Sequence, residues 1–439
     1  MQFFNFGCSA NQKEGELFKS ILEDLIKELE EENFEEIKVL KDKLVVINSC
    51  TVKGPTESKI LDLIKKEKEK DKIVLVFGCL ALAYPEKIRN LNVLAIGENF
   101  LDKERLRQIL LNKSIDILTN KNFKDLQGNR LRLTGNKREI IEINRGCLGN
   151  CSFCATKLAI PGFYSYKSEE IVNLIKKAYE KGSKEIYLTS QDTGAYGLDN
   201  KENLLILIEM INKWWDSLEV KREDFFIRIG MMNPNFLKKI INDLLSEMEK
   251  GPFYRFIHLP VQSGSNYILE KMNRGYTVED WLYLAKKIKK KKFTLATDII
   301  VAYPGEKEED FKETLDLLDK IDIDIINISR FWPRPKTKAY EEWKKDKISD
   351  LESKNRAKIL KSKFEEKLLE INKKYLEENK KDKVLINEYD ENYKSLKGKD
   401  LYYKQIVIKN TEKSLIWKLL DVELINFEHN TFFATINTS

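Results

Sequence analysis

Six cysteines are the residues of this 439-residue sequence whose positions suggest chemistry. Cys147, Cys151 and Cys154 stand together as CLGNCSFC, directly after a predicted strand. Three thiolates at this spacing suit a tetrahedral metal ion or an iron–sulfur cluster. A structural zinc ion needs a fourth protein ligand, and the two histidines, His258 and His429, stand far away in the sequence. We therefore favour a [4Fe-4S] cluster with one open iron.

The other three cysteines are spread along the N-terminal part of the chain. Cys8, Cys50 and Cys79 each follow a short predicted strand, namely FFNF, LVVI and IVLVF. In a parallel sheet the carboxyl ends of the strands share one edge, so the three thiols would converge. Gly7 and Gly78 would let the backbone approach a bulky cluster closely. We predict a second three-thiolate cluster, with three ordinary core cysteines as the alternative.

The segments around these cysteines indicate three folded regions. Residues 1–115 alternate short β-type runs with amphipathic stretches, which is typical of an α/β domain with a parallel sheet. The polar stretch 116–136 is a predicted linker. Residues 137–345 repeat the alternation with a longer period, which predicts a partial (β/α)6 barrel of the TIM type. The predicted barrel strands lie at residues 139–143, 185–189, 225–229, 255–259, 294–300 and 324–329.

The C-terminal region differs in composition from the rest of the chain. Residues 346–379 are rich in Lys and Glu and predict a basic helical connector, for which a solvated helix face is the simplest explanation. Residues 380–439 contain β-type runs such as LYYKQIVIKN, which predict a small all-β barrel or sandwich. The chain is therefore predicted to be an α/β protein with a small all-β domain at its end.

The composition fits several domains and excludes some functions. Apolar residues make up 42% of the chain, and 77 Lys and Arg against 71 Asp and Glu give a net charge of +6. The longest mainly apolar run, 73–84, is shorter than the roughly 20 residues that span a bilayer. The first residues lack a positive n-region and a small-residue cleavage site, so we expect no secretory signal. We expect a cytoplasmic protein that makes no membrane contact. Walker, HExxH and GxGxxG motifs are absent, which disfavours nucleotide hydrolysis, zinc proteolysis and dinucleotide binding.

These features together resemble the radical S-adenosylmethionine (SAM) methylthiotransferase family. A three-cysteine α/β domain, CxxxCxxC on a partial barrel and a small β-rich domain follow one another in the family's order over essentially the whole chain. The resemblance implies that the CLGNCSFC cysteines hold the radical SAM [4Fe-4S] cluster and the first three cysteines an auxiliary [4Fe-4S] cluster. It also implies that residues 380–439 are similar to TRAM, an RNA-binding module.

Four short stretches are most similar to the archaeal and eukaryotic branch of that family. They are INSCTVKGPTE, INRGCLGNCSFCATK, LTSQDTGAYG and RIGMMNP. That branch adds a methylthio group to C2 of N6-threonylcarbamoyladenosine at position 37 of tRNA. One departure is plain: where the family usually has Ala-Arg-Gly, residues 159–162 are Ala-Ile-Pro-Gly, which leaves Lys157 or Arg145 to supply the missing cation.

The reaction that the resemblance implies requires a radical, because general acid–base catalysis cannot remove the nonacidic C2 hydrogen at neutral pH. In the family, SAM binds the open iron of the barrel cluster and is split reductively to a 5′-deoxyadenosyl radical, while the auxiliary cluster carries the sulfur. The implied cofactors are thus two [4Fe-4S] clusters and SAM. The implied partners are a tRNA substrate, an electron donor and a sulfur source, the last two unidentified.

Polar residues at the ends of the barrel strands form the predicted cofactor site, because barrels of this type carry their site residues there. Phe153 stands between two of the cysteines, and we predict that its ring packs near the SAM adenine, with a core position as the alternative. The resemblance points to further SAM contacts among Gln191, Asp192, Asn233, His258, Gln262, Ser263 and Asp298. Each also has an ordinary structural explanation.

Cations mixed with aromatic residues after the sixth strand predict an RNA contact, since they combine phosphate binding with base stacking. A loop that closes the barrel is the alternative explanation of SRFWPRPKTK. Tyrosines of a β-rich domain commonly serve packing, so the C-terminal candidates are weaker. The predicted RNA contacts are Arg330, Trp332, Arg334, Lys336, Tyr403 and Lys404.

Several other functions remain open from the sequence. The same chemistry could act on a ribosomal-protein side chain or on isopentenyladenosine in tRNA. The chain could instead be a non-catalytic iron–sulfur or zinc RNA-binding protein. A radical SAM methyltransferase that inserts no sulfur would leave the first three cysteines without a role. Metal content separates the methylthiotransferases from a protein that uses its cysteines structurally. Two clusters require about eight irons per chain, whereas a structural site holds one or two zinc ions.

Overall fold

The N-terminal region contains a parallel sheet. The structure is a computed structural model that describes residues 1–34, 36–51, 54–112, 114–116 and 130–437. The strands are β1 (Gln2–Asn5), β2 (Leu44–Ser49), β3 (Ile73–Gly78), β4 (Leu94–Ile96) and β5 (Ile115–Asp116). They lie side by side in sequence order, and all pair in parallel. Every residue of β2 is buried, as expected for a strand whose sheet is covered on both faces.

Helices cover both faces of this sheet. They are α1 (Ser9–Glu31), α2 (Ile37–Lys43), α3 (Gly54–Glu69), α4 (Cys79–Ala83), α5 (Pro85–Arg89) and α6 (Lys103–Asn112). α1 buries apolar residues three or four positions apart, among them Phe18, Leu22 and Leu25, so one face of the helix packs on the sheet. The ring centroids of Phe18 and Phe77 lie 4.2 Å apart in this contact.

The central region forms the predicted incomplete barrel. Its strands are β6 (Arg138–Glu142), β7 (Asn144–Gly146), β8 (Phe163–Ser165), β9 (Glu185–Thr189), β10 (Phe226–Ile229), β11 (Phe256–His258), β12 (Thr294–Val301) and β13 (Ile325–Arg330). Two parallel sheets, β6-β9-β10 and β11-β12-β13, are joined by a bridge between Ile227 and Phe253. β7 and β8 pair with each other in antiparallel orientation. Each strand predicted from the sequence lies within one residue of its observed bounds.

The helices of this region follow the strands, and the longer ones pack on the outside of the barrel. They are α7 (Thr156–Ala159), α8 (Ser168–Glu180), α9 (Leu204–Asp216), α10 (Pro234–Leu237), α11 (Ile241–Lys250), α12 (Asn266–Lys271), α13 (Val278–Lys290), α14 (Glu308–Lys320) and α15 (Lys338–Lys345). The amphipathic stretch of residues 235–249 predicts a single helix, and this prediction is wrong because the structure has two. A turn in which the Ile240 amide donates to the Leu237 carbonyl separates α10 from α11.

A long helix, α16 (Asp350–Glu378), connects the two barrels and packs along the first. Its Leu360, Phe364 and Leu368 join the core of the large barrel. Arg356 donates to Glu306 at 2.8 Å, and Asn372 donates to the His429 carbonyl at 2.6 Å. The helix is therefore held at both ends. In the described part of the chain, no helix combines the length and the apolar character that a membrane span needs.

The C-terminal strands close into the predicted small barrel. They are β14 (Lys381–Asp390), β15 (Ser395–Lys399), β16 (Gln405–Lys409), β17 (Leu419–Glu428) and β18 (Thr431–Ile436). Their order is β14-β15-β16-β18-β17, with β17 paired back to β14. Val384, Ile406 and Phe432 are fully buried inside it.

The loop between β15 and β16 docks the small barrel on the amino-terminal end of the large one. The Tyr403 ring lies 4.7 Å from Phe256 and 5.0 Å from Tyr254, measured between centroids. Lys404 Nζ lies 2.8 Å from an Asp324 carboxylate oxygen, and both side chains are buried. Aromatic packing and a buried ion pair thus fix the two barrels to each other.

Candidate functional site

The first three cysteines follow three adjacent strands of the N-terminal sheet. Cys8 follows β1 and precedes α1, Cys50 follows β2, and Cys79 begins α4 directly after β3. Gly7 has a φ of 110°, and a Cβ on it would lie 3.1 Å from the Cys50 Cβ. The β1 and β2 ends therefore approach closely because residue 7 has no side chain. The predicted convergence at one sheet edge is observed.

One buried side chain, Asn11, forms hydrogen bonds at all three of these strand ends. Its amide nitrogen donates to the Phe6 carbonyl and, at 3.3 Å, to the Ser49 carbonyl. Its amide oxygen accepts from the Cys79 thiol at 3.5 Å. Burial raises the pKa of Cys79 well above its usual value, and nearby Glu14 raises it further. A cation must therefore displace the thiol proton before this sulfur becomes an anionic ligand.

The CLGNCSFC loop lies at the carboxyl ends of the barrel strands, between the β7 strand and α7. The Gly149 amide donates to Cys147 Sγ at 3.2 Å, and the Cys154 thiol lies 3.0 Å from the Thr156 hydroxyl. A Cβ on Gly149 would lie 3.3 Å from Cys147 Sγ and 3.7 Å from Cys151 Sγ. Gly149 therefore leaves open the space beside two of the three sulfurs.

Two buried charged side chains flank these sulfurs. Asp192 lies 3.8 Å from Cys147 Sγ, and Arg274 donates to Cys151 Sγ at 2.9 Å. Burial, assisted by Asp192, raises the pKa of Cys147 to about 12. Burial also raises the pKa of Asp192 to about 6, although the Asn233 and Gly194 amides that bond to it oppose this shift. Arg274 was not predicted as part of this site, because it stands far from the cysteines in the chain.

The two cysteine sets are packed against each other. Leu80 and Ala81 of α4 share a buried apolar cluster with Ala159 and Ile160 at the end of α7. Ile160 occupies the place where the family usually has Arg, and its side chain serves this contact. Of the two cations considered as substitutes, Arg145 lies 2.6 Å from Glu14 in a buried ion pair, and its charge acts on Cys79 from the neighbouring set. The exposed Lys157 stays a prediction.

Some predicted cofactor residues line the carboxyl-terminal mouth of the barrel. His258 Nε2 lies 3.0 Å from an Asp298 carboxylate oxygen, and the other Asp298 oxygen accepts from Asn327 at 2.8 Å. The His258 and Asp298 side chains are 17% and 28% exposed, so both remain accessible from the mouth. Asn327 was not predicted, and its position two residues after a strand start gave no signal. One residue from each of β11, β12 and β13 thus belongs to a hydrogen-bonded polar row, which consists of His258, Asp298 and Asn327.

Other predicted cofactor residues are built into the walls of the site. Asn233 and Ser263 are buried, and Asn233 caps α10 by accepting from the Asn235 amide. Gln262 has a φ of 76° and pairs with β12 through its backbone. Gln191 accepts from the Gly146 amide at 2.7 Å, next to Cys147. The Phe153 ring packs edge-on against Tyr303 at 6.4 Å.

The structure separates the predicted RNA contacts into exposed and buried residues. Trp332 is 45% exposed, and its ring packs over Gly54 of the N-terminal domain. Lys336 is exposed and lies 3.0 Å from Glu86, and Arg330 pairs with Asp350 at 2.5 Å on the surface. These residues are accessible to a large partner.

Arg334, Tyr403 and Lys404 make contacts inside the protein, and the prediction that they contact RNA stays a prediction. Arg334 is 5% exposed and donates to Glu57 at 2.8 Å, so it joins the barrel to α3. Lys404 forms an ion pair with Asp324, and Tyr403 packs in the aromatic cluster between the barrels. These side chains lie in contacts between domains. Cations and aromatic rings stabilise buried interfaces between domains as well as surfaces that bind nucleic acids.

The two thiol sets suit clusters better than single metal ions. Across the described ranges, no three His, Cys, Asp or Glu side chains are grouped closely enough to bind one ion. A zinc ion holds its sulfur ligands at about 2.3 Å, whereas a cluster gives each thiolate an iron of its own and so spaces the ligands more widely. The open position at Gly149 and the close backbone approach at Gly7 fit a bulky inorganic group.

Comparison with known proteins agrees with this geometry. The model of the Radical SAM superfamily matches residues 141–318, and that of the Uncharacterized protein family UPF0004 matches residues 1–96. A Pyrococcus horikoshii protein described as a probable threonylcarbamoyladenosine tRNA methylthiotransferase is 36% identical over 407 residues, which cover 87% of each chain. The chain belongs to the threonylcarbamoyladenosine tRNA methylthiotransferase family.

Further relatives support membership in this methylthiotransferase family. The human threonylcarbamoyladenosine tRNA methylthiotransferase is 34% identical over 344 residues, which cover 76% of this chain and 57% of the human protein. The solved structure of the radical S-adenosylmethionine methyltransferase TsrM from Kitasatospora setae, with cobalamin and a [4Fe-4S] cluster bound, has a TM-score of 0.53 at 14% identity. It covers 74% of this chain and 73% of that chain, and it supports the fold. As a Radical SAM enzyme, this methylthiotransferase uses SAM and iron–sulfur clusters, which confirms the expected cofactors.

Proposed function

We propose that this protein replaces the C2 hydrogen of N6-threonylcarbamoyladenosine at position 37 of tRNA with a methylthio group. The observation that carries the proposal is the packing of two three-thiol sets against each other through α4 and α7. One set suffices for an enzyme that generates a radical, and the second provides a place to hold sulfur beside it. The names of the similar proteins contain threonylcarbamoyladenosine, and this supports the choice of substrate.

The proposed roles of the cysteines follow from their positions. Cys147, Cys151 and Cys154 would hold the barrel cluster, and the thiols at the N-terminal sheet edge would hold the auxiliary one. When bound, these cofactors supply the one-electron chemistry that breaks the C2–H bond and the sulfur that replaces the hydrogen. The buried contact between α4 and α7 would fix the separation of the two sets.

Other residues position the reacting molecules. We assign His258 and Asp298, which are the accessible members of the polar row, to contacts with SAM or with the modified adenosine. Asp192 and Asn233 form a buried support, in which the Asn233 amide donates to Asp192 at 2.9 Å and Asp192 faces Cys147. Their contribution is to hold the cysteine loop, because neither side chain reaches the open mouth.

We also propose that the surface around α15 binds the tRNA. The Tyr340 and Trp343 rings stack at 5.8 Å, with Lys344 4.6 Å above Tyr340 and Lys347 5.0 Å above Trp343. The Ala339 amide donates to the Ser152 carbonyl at 2.9 Å, so this helix adjoins the cysteine loop. Aromatic faces bordered by lysines suit bases and phosphates of a single-stranded loop. Since tRNA is the substrate, we place the protein in the cytoplasm.

The decisive test of the reaction is mass spectrometry of nucleosides. Threonylcarbamoylated tRNA is incubated anaerobically with reconstituted protein, SAM, a reductant and sulfide. We expect a methylthiolated nucleoside from the parent protein and none from Cys151→Ala. Cys79→Ala should still cleave SAM but leave the nucleoside without sulfur. Cleaved SAM with unmodified tRNA from the parent protein would refute the substrate, and intact SAM from a protein with about eight irons would refute the reaction.

The RNA surface is tested by tRNA affinity as a function of salt. Trp343→Ala should weaken binding roughly 5- to 150-fold, since stacking of one base contributes about 1–3 kcal/mol. Tyr283→Ala is the matched control, because Tyr283 is an exposed ring under Lys287 on α13, away from the cysteine loop. Equal affinities of the two variants would contradict the assignment of α15.

A further inference from the structure

The loop between α12 and α13 places a buried cation on a cysteine sulfur. Arg274 Nη1 donates to Cys151 Sγ at 2.9 Å, and the residue is 7% exposed. Its Nε donates to the Tyr276 hydroxyl at 2.8 Å. That hydroxyl lies 3.0 Å from each of the Pro260 and Val261 carbonyls, to which it can donate. The guanidinium therefore cannot turn away from Cys151 without breaking a set of buried hydrogen bonds.

The backbone on both sides of Arg274 is joined to the cysteine loop. The Ser152 amide donates to the Met272 carbonyl at 3.0 Å, and the Asn273 side chain donates to the Asn150 carbonyl at 2.7 Å. Asn273 and Gly275 have φ angles of 55° and 68°, which turn the chain sharply between the two helices. These contacts fix the distance between the guanidinium and the sulfur.

The charge of Arg274 also reaches the groups around Cys151. It lowers the pKa of Asp192 and that of Cys154, and it acts against the burial that raises both. Asp192 faces Cys147 on the other side of the loop. The sulfur of Cys151 thus meets a fixed positive charge, while the sulfur of Cys147 meets a carboxyl group.

We propose that Arg274 is a positioning residue that orients Cys151 and raises the reduction potential of the barrel cluster. The inference rests on the proposed function, because it takes that cluster to be bound by the CLGNCSFC cysteines. An added electron makes the cluster more negative, so a fixed cation bonded to a ligand sulfur stabilises the reduced form more than the oxidised form. A guanidinium keeps its charge at any pH at which the protein is folded.

The size of the effect follows from the strength of such bonds. A hydrogen bond to a charged group is strong enough that its loss should change the ratio of reduced to oxidised cluster roughly tenfold, or about 59 mV for one electron. The expected shift on removal is toward a lower potential. A residue that only stabilised the fold would change the amount of bound iron or the melting temperature and leave the potential unchanged.

The test compares midpoint potentials by redox titration followed by electron paramagnetic resonance. The starting protein is the full chain with Cys8→Ala, Cys50→Ala and Cys79→Ala, so that the N-terminal site contributes no cluster. Arg274→Gln and Arg274→Lys are then added to it. Arg222→Gln is the matched control, because Arg222 also packs on a ring, 4.0 Å from Tyr179, and donates to the Ser183 carbonyl at 2.8 Å.

We expect Arg274→Gln to lower the ratio of reduced to oxidised cluster roughly tenfold at a fixed potential, Arg274→Lys to lower it less, and Arg222→Gln to match the starting protein. Equal potentials for Arg274→Gln and the starting protein would overturn the proposal. If Arg274→Gln binds no iron, Arg274→Lys and Tyr276→Phe decide: a lower potential in either supports the proposal, and unchanged potentials in both overturn it. A starting protein that binds no iron contradicts the proposed function instead.

Discussion

Replacing Arg334 with leucine should loosen the contact between the N-terminal domain and the barrel. Arg334 donates to Glu57 at 2.8 Å and to the Thr51 hydroxyl at 2.9 Å, and both acceptors are buried. Removing one partner of a buried pair costs about 3–5 kcal/mol, because the remaining charge is left without compensation. Here Lys87 still reaches Glu57 at 2.5 Å, so we expect a loss of about 2–3 kcal/mol.

The assay is hydrogen exchange of the α3 amides by mass spectrometry. A loss of about 2–3 kcal/mol should accelerate exchange by local opening roughly 30- to 150-fold. Arg330→Leu at the end of β13 is the control, because its pair with Asp350 is exposed and worth at most about 1 kcal/mol. The double variant Arg334→Leu, Glu57→Leu should recover most of the protection. Unchanged exchange in Arg334→Leu, or no recovery in the double variant, would refute this reasoning.

Three further predictions concern stability and cluster binding. Burial and the neighbouring Asp400 raise the pKa of Asp382 to about 7, so the folded state holds this proton more tightly than the unfolded chain, and stability should fall as pH rises from about 4 to about 7. Asp382→Asn should flatten that slope and raise stability at pH 8 by about 2 kcal/mol in urea unfolding, whereas an unchanged slope would contradict the pKa assignment. Tyr403→Ala empties the aromatic cluster between the barrels and should cost about 2–4 kcal/mol by thermal unfolding, and a melting temperature equal to that of the parent would show that the docking is loose. Gly149→Val fills the space beside Cys147 and should reduce iron from about eight to about four per chain, and full iron content would show that the cluster lies elsewhere.

The positions of the cysteines could be predicted because they depend on local sequence and on one rule of topology. Each of Cys8, Cys50 and Cys79 follows a run of β-type residues, and parallel strands end at a common edge. By contrast, the buried ion pairs of Arg334 and Lys404 could not be predicted. A cation beside aromatic residues looks the same in the sequence whether a distant domain or a nucleic acid covers it.

Arg274 illustrates a different limit. It lies 123 residues after Cys151, and nothing in its own neighbourhood marks it as a partner of a thiolate. Its position depends on how the turn after α12 meets the cysteine loop, which is decided by contacts between distant segments. The break between α10 and α11 is missed for a related reason, since the apolar periodicity continues across the turn.

The long helix α16 makes the two barrels a single rigid body for any large ligand. With 29 residues it extends roughly 43 Å, and it is bonded to the large barrel by Arg356 and to the small one by Asn372. Because the two barrels are held at a fixed separation, a ligand long enough to contact both would do so without the entropic cost of closing a hinge. A ligand too short to reach both barrels would gain nothing from this rigidity, so length alone would distinguish the two ligands.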